Sequence, residues 1–322
     1  MVFLATLVVL DSYKLLGFRR VVTLVAVGAA SGAAALVLNP WLLERLDLEV
    51  AVYNRFIGPG VEELLKGSLV AYALMKGRVG FLVDAAIWGF AIGTGFAAFE
   101  NSLYFIVLGK PVPMLWLVRG FGTAIMHGGA TALVAVTGKY LSDRYDSIGP
   151  HVVAPGLLLA GLVHAAFNSF YLSPVLSTLL LLVVLPLVFV LVFRASEEAT
   201  RDWLGTGFDS DQELLELIHG GQVVESPIGE YLHELKDRFP AAMVVDMLCW
   251  IRLHLELSIR AKGVLLMRKA GFTAPLDPEV DARLEELRHL ERTIGPTGML
   301  ALHPIVRMSH RDLWQMHHLE GG

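Results

Sequence analysis

The sequence predicts an all-α protein, a polytopic bundle of about seven transmembrane helices followed by a small helical soluble domain. Three observations lead there. The chain of 322 residues is 55% hydrophobic and only 18% charged, with a mean hydropathy of +0.58, too apolar for an ordinary water-soluble domain. Ionisable residues are sparse up to about residue 195 and frequent after it, which sets a membrane domain at 1–195 and a soluble domain at 196–322. Finally, apolar runs recur along the first part with short polar turns between them.

Taken in order, these runs cover residues 1–16, 20–38, 57–76, 80–108, 113–138, 152–172 and 174–194. Most reach the roughly 20 residues that cross a bilayer core, and the first is the shortest. Met1–Leu10 has no basic leader and no small-residue cleavage site, so it is expected to be a retained helix. Basic residues follow alternate spans: Lys14, Arg19 and Arg20, then Lys76 and Arg78, then Lys139 and Arg144, then Arg194 and Arg201. The intervening loops hold Arg45, Arg55 and Lys110. The positive-inside rule puts the richer loops in the cytoplasm, the N-terminus outside and the C-terminal domain inside. Gly28 and Gly32, and Gly89 and Gly93, are spaced for close helix packing.

The soluble part reads as helical. Asp209 or Asp211 is placed to cap a helix through Leu217, Ser226-Pro227 is a start signal, and Asp277-Pro278 starts another helix. The periodic stretch Met243–Met267 is interrupted by Arg252, His254, Glu256, Arg260 and Lys262, which argues against an eighth span. A net charge of −5 argues against nucleic-acid binding, and the lone Cys249 leaves no disulfide framework. The charged helical character suggests a cytoplasmic protein partner for this domain.

Four consecutive spans carry polar groups at depth. The third has Glu62, Glu63 and Lys66; the fourth has Phe96, Glu100, Asn101 and Tyr104; the fifth has His127; the sixth has His164 and Asn168. Each charge at mid-membrane costs about 2.5–3.5 kcal/mol on insertion scales, so such groups are paired or functional. With the orientation above they reach similar depths in the outer half, where one polar cavity would satisfy them all. Asp11 and Asp84 read as helix-end charges, Arg119 as a snorkelling one, and Ser68 and Ser102 as ordinary helix serines.

Carboxylates, imidazoles and an amide in apolar surroundings are the parts of a hydrolase. A glutamate can take a proton from water, Lys66 can tune it, and His and Asn donors can hold an oxyanion. No Gly-x-Ser-x-Gly and no His-Glu-x-x-His occurs. His127, His164, Glu63 and Glu100, from separate helices, could still form an open zinc site, so a metal-bound water and a glutamate-activated one both remain open. A proton-coupled transporter predicts inverted repeats and broken helices, and the sequence shows neither.

The set Glu62-Glu63-x-x-Lys66, Gly95-Phe96-x-x-x-Glu100-Asn101, His127-x-x-x-Thr131 and His164-x-x-x-Asn168 resembles the PrsW family of intramembrane proteases, within the CAAX-protease and bacteriocin-processing superfamily. The resemblance covers about residues 57–172. It implies that Glu62 and Glu63 are the paired glutamates, one of them the base. Glu100 matches the second-motif acid, His127 the third-motif histidine, and His164 and Asn168 the oxyanion-side donors. The relation of Glu62 to Lys66, four residues on, favours Glu62 as the base. Thr131 stands where a smaller residue is usual, and residues beyond 201 lie outside the motif set. The resemblance implies cleavage of a membrane-anchored anti-sigma factor near its extracytoplasmic side, in a bacterial cell membrane. The superfamily also implies an alternative, a non-proteolytic scaffold that holds a partner helix in the same cavity.

Overall fold

The computed structural model describes residues 2–11, 13, 15–108, 118–272, 279–306, 314–315 and 319. Lys14, Lys110, residues 113–117 of the expected fifth span, Asp277-Pro278 and residues 307–313 lie outside that set. Among the described residues there are helices and no strands. The helices are α1 (Val2–Leu10), α2 (Phe18–Leu46), α3 (Gly58–Met75), α4 (Leu82–Leu108), α5 (Ala124–Tyr145), α6 (Pro150–Asn168), α7 (Pro174–His219), α8 (Pro227–Leu235), α9 (Ala241–Lys269) and α10 (Glu279–Ala301). Two π-helical turns, Tyr53–Ile57 and Val118–Thr123, lead directly into α3 and α5.

Five helical segments are long and apolar enough to cross a membrane: α2, α4, α5 with its leading turn, α6 and α7. With 18 residues, α3 has comparable length, but its three charges set it apart. α1 has nine residues, or about 14 Å at the helical rise, roughly half of a hydrocarbon core. The first expected span is therefore much shorter as a helix than as an apolar run. The chain divides into two compact units, 1–197 and 198–322.

In the first unit, α4 packs against α2 on one side and α5 on the other, and α5 also packs on α6 and α3. Small residues make this possible. A Cβ at Gly28 or Gly95 would overlap backbone across the α2–α4 contact, and one at Gly89 or Gly93 would overlap the backbone of α5. These spacings thus bring α4 and α5 into backbone contact at the level of His127. α4 and α5 are the most buried spans, while α2, α6 and α7 expose most of their apolar side chains, as lipid-facing helices do.

Polar groups at the other end of this unit are also satisfied. Asp84 accepts the Gly80 N–H at 2.8 Å, and Asp11 accepts those of Tyr13 and Leu15. Lys139, expected as a loop charge, is buried on α5 and pairs with Asp143 at 2.7 Å.

In the second unit, α9 carries the core. Met247, Trp250, Ile251, Leu257 and Leu265 are buried, and Leu284, Leu287 and Ile294 of α10 join the first four in one cluster. Ser226 caps α8 by accepting the Gly229 N–H, with Pro227 at the first helical position. The sequence expectation of a new helix capped near Asp209 is not met: α7 runs unbroken for 46 residues through that point. Asp211 instead takes hydrogen bonds from Ser258 and from buried Lys262, the latter at 2.6 Å.

Candidate active site

The site is assembled from α3, α4, α5 and α6. On α3, Glu63 and Lys66 turn fully into the bundle, and Glu62 stands at the edge of a cavity. Lys66 Nζ lies 2.6 Å from Glu63 Oε1 and 2.8 Å from His127 Nδ1, and sits over the Phe96 ring at 4.6 Å. A charged Lys66 donates to His127 Nδ1. That places the ring proton on Nε2, which faces Glu100 Oε2 at 3.0 Å.

His164 comes from the opposite wall. Its Nδ1 is 2.8 Å from Glu63 Oε1, and its Nε2 faces Glu62 Oε2 at 3.8 Å. The two imidazoles meet edge to face, with ring centres 4.6 Å apart. Glu63 is therefore clamped between Lys66 and His164, and its second oxygen is buried with no hydrogen-bond partner among the described residues.

Arg119, read from the sequence as a snorkelling charge, belongs to the site. It donates to Glu100 Oε1 at 2.8 Å and to Asn101 Oδ1 at 3.2 Å, and it stacks on Tyr104 at 3.5 Å. The pairing with Glu100 was hidden because the two residues lie on different helices. Asn39 and Tyr53 were also missed: Asn39 donates to Glu62 Oε1 at 3.1 Å. Asn39 sits beside Pro40, and no pattern in the sequence ties it to Glu62.

Other expectations need correction. Lys66 pairs with Glu63 rather than Glu62, so the spacing argument for Glu62 fails although Glu62 does face the cavity. Asn168 lines the cavity, but its amide donates to the backbone carbonyl of Asn54 at 3.2 Å. Asn101 likewise donates to the carbonyl of Arg119 at 2.8 Å. Each asparagine thus clips one of the two π-helical turns, whose widened pitch leaves carbonyls free. Thr131 accommodates its position by donating to the His127 carbonyl at 2.9 Å.

The cavity measures about 710 Å³ and is lined by Glu62, Glu100, Arg119, His127, His164 and Asn168 among others. One ligand atom each from Glu62, His127 and His164 fall within 4.8 Å of one another. Sequence reasoning offered Glu63 and Glu100 as metal carboxylates; the converging one is Glu62. Two imidazoles and a carboxylate form the three-donor set of open zinc sites. Among the described residues Glu62 is also the one site carboxylate with no Lys or Arg ion pair. His164 Nδ1 is braced by a carboxylate, as metal-bound histidines are. The residues present fit a divalent cation.

A buried carboxylate–imidazole cluster opening on a cavity among apolar helices has the groups that hydrolytic chemistry uses. A family model described as PrsW family intramembrane metalloprotease matches residues 17–193. The chain belongs to that family of integral membrane proteases. No match was found among curated proteins or among solved structures.

Proposed function

We propose that the protein cleaves a peptide bond of a membrane-anchored substrate near the extracytoplasmic side of the membrane. The observation that carries this reading is the convergence of Glu62, His127 and His164 on the wall of the cavity. These three residues would hold a zinc-type cation, which when bound polarises the scissile carbonyl and acidifies the attacking water.

The chain's own groups supply the rest. Glu100 lines the cavity and takes the proton from water as its oxygen adds to the carbonyl carbon. Arg119 pairs with Glu100 and offers further N–H donors to the developing oxyanion. Glu100 then returns the proton to the amine as the C–N bond breaks. Lys66 neutralises Glu63, and Glu63 orients His164. Glu100, rather than Glu62 or Glu63, thus takes the part of base.

The loop charges support an orientation with the second unit, 198–322, in the cytoplasm and the cavity open towards the outer face of the membrane; a bacterial cell membrane is the setting the family resemblance favours. An anti-sigma factor anchored by one span is the substrate type the family resemblance favours. The second unit, as a cytoplasmic helical domain, is a candidate site for a protein partner.

The test is cleavage of single-span reporters by purified full-length protein in proteoliposomes. Metal content is measured in parallel, and Glu62→Ala and His164→Ala are run beside wild type. Both variants are expected to lose cleavage and bound metal. Equal cleavage by all three proteins would remove Glu62 and His164 from the catalytic centre, and no cleavage by wild type would leave the cavity as a holding site for a partner helix.

A further inference from the structure

The side chains that touch Glu62 continue beyond the four-helix cluster. Tyr53 Oη donates to Asn39 Oδ1 at 3.0 Å, and Asn39 Nδ2 donates to Glu62 Oε1 at 3.1 Å. The chain of bonds runs from the π-helical turn, through α2, to α3. Tyr53 is 1% exposed although residues 50–52 and 54–57 are all exposed, so this one side chain is turned inward from an otherwise outward-facing stretch.

The direction of the bonds has a chemical consequence. A phenol has one proton to give. Given to Asn39 Oδ1, it fixes which end of the amide faces which neighbour. The amide nitrogen must then face Glu62, and it engages Oε1 alone. Oε2 is left on the side of His164 Nε2, at 3.8 Å. Without the Tyr53 hydroxyl the amide loses its second anchor, and the angle at which its N–H meets the carboxylate is no longer fixed.

We propose that Tyr53 and Asn39 are positioning residues that hold one oxygen of Glu62 and keep the other turned towards the imidazoles, and so preorganise the carboxylate for a divalent cation. This rests on the reading of Glu62, His127 and His164 as the cation-holding set. Neither residue touches the reacting atoms. Tyr53 acts through Asn39, and Asn39 acts through Glu62.

The experiment is a zinc titration of purified, metal-stripped full-length protein in nanodiscs, with Co²⁺ loading as a spectroscopic reporter. The proteins are wild type, Tyr53→Phe, Asn39→Ala, the double variant and Glu62→Ala. Tyr53→Phe keeps the buried ring and removes only the hydroxyl, so it remains informative if Asn39→Ala fails to fold; the metal-free melting curve reports folding. Each single variant is expected to bind zinc about 10–100-fold more weakly, the range typical of groups that orient a ligand. Each is also expected to shift the visible spectrum of bound Co²⁺. The double variant should be no weaker than Asn39→Ala, because the two residues act in series.

Wild-type affinity and spectrum in Tyr53→Phe, with zinc binding lost in Glu62→Ala, would overturn the positioning role and leave the site reading intact. Additive losses in the double variant would also overturn it. Undiminished zinc binding by Glu62→Ala, or none by wild type, overturns the site reading and the proposal together.

Discussion

Lys66 exposes no surface, so its charge has to be answered inside the bundle. The Glu63 carboxylate, the His127 ring nitrogen and the Phe96 face answer it from three directions. Removing one member of such a buried pair leaves the other uncompensated, at a cost of about 3–5 kcal/mol. Lys66→Met is accordingly expected to lower thermal stability in detergent sharply, and adding Glu63→Leu to recover much of the loss. Wild-type melting of the single variant would contradict the pairing. Which residues come together was largely legible in the sequence, because Glu62, Glu63, Glu100, His127 and His164 stand out against apolar spans. Their partners were not. Lys66 is spaced to meet either glutamate, and only the packed helices show that it meets Glu63 and reaches across to His127. Asn39, Tyr53 and Arg119 escaped because polar residues near span ends are common, and their use here depends on neighbours distant in sequence.

At the scale of elements, the glycines of α4 set the height at which His127 is presented. A Cβ at Gly93 would overlap the backbone of His127 itself. Gly93→Val is therefore expected to push α5 away from α4 and misplace the imidazole. A displacement of about 1 Å can cost roughly 10²-fold in rate. Comparing turnover with the amount of folded protein in the membrane separates this from simple misfolding; unchanged turnover per folded molecule would show that α5 does not move. The close-packing spacing of these glycines was readable from the sequence, and so were the third, fourth and sixth spans to within a few residues. Helix continuity was not. The sequence offers a polar segment with capping aspartates after residue 196, but α7 passes straight through because Asp211 finds partners on α9. The π-helical turns were invisible for a related reason: they hold their shape with borrowed amides, Asn168 for one and Asn101 for the other.

At the scale of the whole site, three carboxylates face two cations, Glu62, Glu100 and Arg119 on the cavity and Glu63 and Lys66 buried behind it. A divalent cation would reverse that balance; for His127 to hold it through Nε2, that nitrogen would have to be free of its proton, and Lys66 would supply one to Nδ1 to keep the ring neutral, so one proton is lost overall. Zinc binding is thus expected to release protons and to weaken as pH falls, by about tenfold per pH unit for each proton displaced. Calorimetry in buffers of different ionisation enthalpy measures the release; zinc affinity that does not change with pH would rule out His127 as a ligand.

The burial of Glu63 and Lys66 has one more consequence, for the birth of the protein. Alone in a bilayer, α3 carries three charges that cost roughly 8–10 kcal/mol together, eased only by the Glu63–Lys66 pair on the same helix. Asn39 of α2 is already made and reaches Glu62, but His127 and His164, which answer Lys66 and Glu63, are synthesised later, on α5 and α6. The segment is therefore expected to insert poorly when the chain is truncated just after Met75 and efficiently once α6 has been made. Glycosylation mapping of successively longer nascent chains would follow this directly; full insertion of the shortest would show that α3 does not wait for the helices that complete its site.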